Sequence, residues 1–161
     1  MADTTAKCGG DYLVRVEELD LAIVRQLAQG GRMSFTDLGR ETGLSTSAVH
    51  QRVRRLEQRQ VITGYAAQLD HAQLGLGLAA IVMLKPMDPS APDDTPERLA
   101  DIPAIEACYS VAGDYSYVLL VRVSTTVHLE DLLAQIRSRG NVSTNSTIVL
   151  STPYERRAPQ L

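Results

Sequence analysis

Residues 38–60 read LGRETGLSTSAVHQRVRRLEQRQ and contain two short helix patterns separated by a tight turn. Gly43 can adopt the left-handed conformation that ends the first helix, and Ser45 is a typical N-cap for the second. The second helix has one apolar stripe, repeating at i, i+4 and i+7, made of Val49, Val53 and Leu56. Two helices joined in this way predict a helix-turn-helix unit.

The flanking sequence extends this unit in both directions. From Glu17 onwards, a stripe of Leu19, Ile23 and Leu27 has helical spacing and ends at Gly30. Ser34 offers an N-cap for the helix before the turn. The side chains expected to point inward there are Phe35, Leu38 and Leu44. Residues 61–69 are predicted as a strand or wing, which completes a winged helix-turn-helix at 17–70.

The last helix of the unit has a basic side opposite its apolar stripe. At about 100° per residue, Ser47, Gln51 and Arg54 point away from that stripe. Residues 45–59 carry a local charge of +3, although the formal net charge of the chain is -3. Arg pairs with guanine and Gln with adenine, while a helix N-terminus holds phosphate. The predicted DNA-binding residues are Ser45, Thr46, Ser47, His50, Gln51, Arg52, Arg54 and Arg55.

A basic helix face also occurs as ordinary solvated surface. Here three short helices, a tight turn before the last one and a basic outward face on that helix alone occur together, which favours DNA binding. Ser47, Gln51 and Arg54 are expected to read bases. Arg52 and Arg55 are expected to hold the DNA backbone or neighbouring residues.

The second half of the chain predicts a different architecture. We expect strands at 78–85, 105–112, 115–123 and 142–150, with helices at 96–101 and 128–139. The order βαββαβ is that of a ferredoxin-like sandwich. The predicted fold class is therefore α+β, with a winged helix-turn-helix followed by a ferredoxin-like domain.

Two of these strands are apolar on both faces, AAIVML at 79–84 and YVLLV at 117–121. A sheet with one solvated face alternates apolar and polar residues instead. Because no other segment is left to cover the second face, a second copy of the chain is the expected cover, in a face-to-face dimer. A two-fold dimer suits palindromic or repeated DNA sites.

The segment VAGDYSY at 111–117 predicts a hairpin turn at Gly113 and Asp114. An ordinary turn explains it when it is taken alone. A binding site explains it as well, because turn N–H groups suit a carboxylate and Asp114 suits an ammonium, beside the rings of Tyr115 and Tyr117. Taken alone, the residues favour the ordinary turn, and an amino-acid site shared across a subunit boundary is the functional hypothesis.

Other function classes lack their usual signals. Cys8 and Cys108 lie far apart with no ligand cluster nearby, and the three histidines, His50, His71 and His128, are scattered. The apolar run at 74–84 spans about half of the roughly 20 residues that a membrane helix needs. We expect a cytoplasmic protein with no metal, cofactor, membrane partner or catalytic site. The alternative is an amino-acid-binding regulatory subunit of a metabolic enzyme.

With these motifs in hand, the chain closely resembles the Lrp/AsnC family, the feast/famine transcriptional regulators of bacteria and archaea, over about residues 19–150. The helix-turn-helix positions that match are Gly43, Leu44, Ser45, Ser47, Val49, Arg52, Val53, Leu56, Ile62 and Gly64. The later VAGDYSYVLLVRV matches too, except that Ser116 stands where members often have an acidic residue.

The resemblance implies dimers that assemble further into octamers, and regulation by a small effector, usually an amino acid. By position, the effector pocket falls at Val111, Gly113, Asp114 and Tyr115, and we add Tyr117. Residues 144–147 are weighed both as pocket lining and as solvent-facing strand positions. The expected division is a leader at 1–16, the DNA-binding domain at 17–70, a linker at 71–77, a ligand-sensing and dimerisation domain at 78–152 and a tail at 153–161.

Overall fold

The computed structural model describes residues 17–88, 90, 92–155, 157 and 158. The predicted leader at 1–16 and positions 156 and 159–161 of the predicted tail lie outside these residues. The chain divides between Ala67 and Gln68 into two compact units, called here the N-terminal and C-terminal units. Each is described by itself.

The N-terminal unit contains three helices, α1 (Glu18–Gln29), α2 (Phe35–Thr42) and α3 (Thr46–Gln58). The hydroxyl of Ser34 accepts a hydrogen bond from the Asp37 amide, and that of Ser45 accepts one from the Ala48 amide. Gly43 ends α2 with φ 72°, in the left-handed region. The predicted caps and the tight turn between α2 and α3 are confirmed.

Five side chains form the buried core of this unit: Ile23, Leu38, Val49, Val53 and Leu56. Leu27 and Leu44 are partly buried against this core, but two other residues predicted to point inward are exposed instead. Leu19, in the first turn of α1, is 40% exposed, and Phe35, the first residue of α2, is 37% exposed. Both lie at helix starts, where fewer neighbouring side chains surround them than at mid-helix.

The predicted strand or wing at 61–69 is wrong, because these residues form no strand. A strand needs a backbone partner, and here the first two amides bond elsewhere. The N–H groups of Val61 and Ile62 both donate to the carbonyl of Leu56, and the hydroxyl of Tyr65 donates to Glu57 at 2.9 Å. The segment therefore folds back onto the end of α3.

The turn between α2 and α3 brings two backbones very close at Gly39. A Cβ placed on Gly39 would lie 2.6 Å from the carbonyl oxygen of Leu44, a backbone atom that cannot rotate away. We expect Gly39→Ala to lower the free energy of unfolding by about 1–3 kcal/mol through this overlap. Urea denaturation followed by circular dichroism measures it. Gly64→Ala is the control, since nothing lies within 4 Å there, and equal losses in both variants would contradict the steric argument.

The C-terminal unit has four strands and two helices, and the bounds of its elements are β1 (Leu78–Pro86), α4 (Thr95–Leu99), β2 (Ile105–Ser110), β3 (Tyr117–Val123), α5 (Thr126–Gly140) and β4 (Val142–Ile148). All strand pairs are antiparallel, in the order β2-β3-β1-β4. The predicted ferredoxin-like order βαββαβ is confirmed. Helix α4 begins at Thr95, one residue before the predicted start at 96, and its N-cap is Asp94.

The two faces of this sheet are covered differently. One face packs against both helices, and its core contains Val82, Leu84, Leu119, Val121, Leu132 and Ile136. The other face, called here the open sheet face, carries Ile81 opposite Leu120 and Met83 opposite Val118. Ile81 is 39% exposed and the other three are half-buried. None of the buried clusters among the described residues includes these four side chains.

Among the residues that the structure describes, no helix combines the length and the apolar character needed to cross a membrane.

Candidate functional site

The outer side of α3 forms a shallow groove with a basic lining. Its lining residues are Ala48, Gln51, Arg52, Arg54, Arg55 and Gln58. Gln51, Arg54, Arg55 and Gln58 are exposed, whereas Val49, Val53 and Leu56 on the opposite side are buried. Helix α3 is thus fixed by one face and presents guanidinium and amide groups on the other. Such groups donate and accept hydrogen bonds in the pattern that base edges and phosphates require.

Three further residues predicted to bind DNA lie at the start of α3. Ser45 caps the helix, and its hydroxyl lies 3.1 Å from that of Ser47. Thr46, the first helical residue, is exposed. These hydroxyls surround the N-terminus of α3, where helix amides and the helix dipole favour an anion such as a phosphate.

His50 lies at the edge of the groove against the aromatic ring of Phe35. The two ring centroids are 5.3 Å apart, with the planes tilted by 53°. Phe35 therefore contacts a side chain of the neighbouring helix although its ring is exposed. His50 itself remains exposed.

Arg52 differs from the other arginines of α3 because it turns towards α1. Its guanidinium donates to Asp20 at 2.7 Å and to Glu17 at 2.9 Å. The Arg52 side chain is 20% exposed and that of Asp20 only 2%. The hydrogen bond to Asp20, followed by that to Glu17, raises the pKa of Arg52. This cluster of Glu17, Asp20 and Arg52, called here the α1–α3 ion pair, holds the two helices together.

Two residues of this region, Gln58 and Asp20, were not predicted from the sequence. Gln58 lies seven positions after Gln51, two helical turns along the same face, and that spacing was available in the sequence. Asp20 lies next to the apolar stripe of α1, and an acidic residue at such a position indicates a buried partner. Neither spacing nor composition identifies Arg52 as that partner, since the two residues are 32 positions apart.

In the C-terminal unit, the β2–β3 hairpin lies beside a cavity of about 500 Å³, called here the hairpin pocket. It brings together four of the five residues predicted for the effector, Val111, Gly113, Tyr115 and Tyr117. The remaining lining residues are Lys85, Pro86, Asp88, Pro92, Asp93, Ser110, Ala112 and Ser116. Asp114 is exposed at the tip of the hairpin and is not part of this lining.

The hairpin pocket contains charges of both signs beside aromatic rings. Lys85 lies at the end of β1, and Asp88 and Asp93 lie in the segment that follows. The buried hydroxyl of Tyr117 donates to the Asp93 carboxylate. Burial, and then this hydrogen bond, raise the pKa of Tyr117. A cation, two carboxylates and apolar surface together suit a small zwitterion.

The polar run at 144–147 lies partly near this pocket. The Asn145 amide donates to the Tyr115 hydroxyl at 3.1 Å, which links β4 to the hairpin. Thr144 instead accepts a hydrogen bond from Arg137 of α5 at 3.3 Å. Asn145 therefore supports a pocket-lining residue without itself belonging to the lining.

Comparisons with known proteins agree with this division into two units. The profile of the AsnC-type helix-turn-helix domain matches residues 17–57, and that of the Lrp/AsnC ligand binding domain matches residues 79–159. The HTH-type transcriptional regulator LrpA of Mycobacterium tuberculosis is 51% identical over 142 residues, covering 88% of this chain and 95% of LrpA. The Bkd operon transcriptional regulator of Pseudomonas aeruginosa is 31% identical over 154 residues, covering 92% of this chain and all of that protein.

Solved structures give the same result. A feast or famine regulatory protein of Mycobacterium tuberculosis, solved in complex with L-methionine, superposes with a TM-score of 0.87 at 50% identity. The superposition covers 89% of this chain and 97% of that one. The likeness therefore extends over the helix-turn-helix and the ferredoxin-like unit alike.

Proposed function

Since the chain belongs to the Lrp/AsnC family of transcriptional regulators, we propose that it binds double-stranded DNA sequence-specifically and that an amino acid modulates this binding. The observation that carries the proposal is the groove on α3, where exposed Gln51 and Arg54 lie opposite a fully buried core. The proposed work is regulation of transcription in the cytoplasm, not catalysis.

The DNA contacts divide by chemistry. Gln51 and Arg54 read base edges in the major groove, where Gln pairs with adenine and Arg with guanine. Arg55 and the residues at the start of α3, Ser45, Thr46 and Ser47, hold backbone phosphates, with His50 at the edge. Arg52 is left out of these contacts, because its guanidinium is held by Asp20 and Glu17.

The open sheet face is the proposed dimer interface. Ile81, Met83, Val118 and Leu120 form apolar surface that a second copy covers by packing sheet on sheet. The two-fold axis then presents two copies of α3, which matches palindromic or repeated sites. Assembly of dimers into octamers is expected from the family resemblance.

The hairpin pocket is the proposed effector site. Lys85 pairs with the carboxylate of an amino acid, and Asp88 or Asp93 pairs with its ammonium. Val111, Pro86 and Pro92 contact its side chain. A volume near 500 Å³ lies within the range of small-molecule pockets. The L-methionine bound by a relative of 50% identity supports this ligand class.

Binding to the upstream region of the protein's own gene tests the regulator directly. We expect a labelled fragment to be bound tightly at 50 mM salt, with a loss of about 10³–10⁵-fold in affinity towards 200 mM if six to ten phosphates are contacted. Repeating the titration with each amino acid identifies the effector as the one that shifts the curve. Failure to bind this fragment or a random duplex pool, at any salt and with any amino acid, would instead favour a regulatory subunit of a metabolic enzyme.

Substitution of Lys85 tests whether the hairpin pocket binds the effector. Lys85→Met removes the cation, so we expect the affinity for the effector, measured by calorimetry, to fall about 10- to 100-fold. Arg98→Met is the control, because Arg98 is a cation of the same unit that pairs with Asp94 on α4. An unchanged dissociation constant in Lys85→Met would place the carboxylate elsewhere.

A further inference from the structure

Four long side chains follow one another along the exposed side of α3. Gln51, Arg54, Arg55 and Gln58 occupy positions i, i+3, i+4 and i+7, and all four are exposed. Within the described part of the chain, none of these four side chains takes part in a hydrogen bond or ion pair, whereas Arg52 is paired with α1. The same i, i+3, i+4, i+7 spacing serves base readout on the recognition helix of homeodomains.

Viewed down the helix axis, the two glutamines lie between the two arginines, on the midline of the exposed side. At about 100° per residue, Gln51 and Gln58 point directly away from the buried Val49, and Arg54 and Arg55 diverge by about 50° to either side. Seven residues rise about 10.5 Å along a helix, which corresponds to about three base-pair steps. Gln51 and Gln58 are therefore spaced to reach two base pairs three steps apart.

From this placement we propose that α3 reads a four-base-pair subsite with A·T pairs at both ends and a G·C pair between them. Gln51 and Gln58 each contact an adenine, and Arg54 contacts a guanine on one strand. Arg55, on the other side of the midline, holds a backbone phosphate of the opposite strand. The inference rests on the proposed function and specifies the DNA sequence that this function uses.

The residues on the midline, Gln51 and Gln58, are uncharged, and this distinguishes base reading from simple electrostatic attraction to DNA. An uncharged amide adds nothing to the electrostatic attraction of phosphates, so two glutamines at the centre of a basic face indicate hydrogen bonding to bases. The α1–α3 ion pair fixes α3 on the side that faces α1, where the Asp20 side chain is only 2% exposed. A helix fixed in this way can present the four side chains in one geometry.

Selection of bound duplexes from a random pool tests the proposal with the full-length protein. We expect the wild-type protein to select A·T pairs three steps apart with a G·C pair between them. Gln51→Ala and Gln58→Ala should each relax the preference at one end and weaken binding to the best site about 5- to 150-fold. Gln73→Ala, an exposed glutamine of the C-terminal unit, is the control.

A second substitution keeps the test informative if alanine disturbs the helix. Gln58→Glu preserves side-chain size and exchanges the amide for an acceptor, so the preference at that end should change from adenine towards cytosine. A specific consensus that Gln58→Ala and Gln58→Glu leave unaltered would overturn the four-base-pair inference while the proposed function stands. If the wild-type protein selects no sequence at all, the proposed function itself fails.

Discussion

Arg52→Ala will lower the free energy of unfolding of the N-terminal unit by about 3–5 kcal/mol. The substitution leaves the Asp20 carboxylate without its partner, the Arg52 guanidinium. The Asp20 side chain is only 2% exposed, so water cannot replace that partner. Removing one member of a buried pair leaves an uncompensated charge, which costs far more than the pair itself contributes. Amide hydrogen exchange of the α1 and α3 peptides measures the loss without requiring both units to unfold together.

Two further variants identify the cause of that loss. Arg54→Ala removes an exposed arginine from the same helix, and we expect it to stay within about 0.5 kcal/mol of the wild-type protein. The double variant Asp20→Leu with Arg52→Met replaces the ionic contact by an apolar one and should recover most of the stability. If Arg52→Ala exchanges its α1 amides no faster than Arg54→Ala does, the ion pair does not hold these helices together.

Ile81→Glu combined with Leu120→Glu will convert the proposed dimer into monomers. Ile81 and Leu120 lie opposite each other on the open sheet face, so the two substitutions bring four carboxylates together across a two-fold interface. Like charges buried face to face cost several kcal/mol, and we expect the dimer dissociation constant to rise roughly 1000-fold or more. Sedimentation velocity at micromolar concentration measures the change.

The control for this experiment lies on the helix side of the same unit. Val127 of α5 is 63% exposed, so Val127→Glu adds a carboxylate without touching the open sheet face. We expect Val127→Glu to remain dimeric and to keep its affinity for DNA, and the double variant to lose affinity for palindromic sites. A double variant that sediments with the wild-type protein would show that the dimer forms elsewhere.

Local sequence signals predicted most of the fold. Ser34, Ser45 and Gly43 act within three or four residues of their own positions, so their roles as caps and turn could be read from the sequence. The predicted strand at 61–69 failed because strand formation depends on a backbone partner, and here the first amides bond to Leu56. The bounds of β3 and α5 differed from the predictions by two residues or fewer.

The residues of the candidate sites could be predicted from the sequence only where they all lie on one helix or strand. Helical spacing was enough to place Gln51 and Arg54 on the outer side of α3. Spacing also puts Arg52 about 60° from Val49, towards the core, yet only the packing of α1 against α3 identifies Asp20 as its partner. At the hairpin pocket, β1 pairs with β3 next to Lys85, at Leu84 and Tyr117, and Asp93 joins them through its hydrogen bond with Tyr117. Such contacts depend on strand pairing and cannot be read from spacing.

Strand β3 connects the two proposed activities of the C-terminal unit. Tyr117 lines the hairpin pocket from one face of the strand, and its neighbour Val118 belongs to the open sheet face on the other. Adjacent residues of a strand share one backbone, so a shift imposed at Tyr117 is felt at Val118. We therefore expect occupancy of the proposed pocket to influence the proposed self-association, and any such linkage is reciprocal. Raising the concentration of the protein is then expected to change its apparent affinity for the effector.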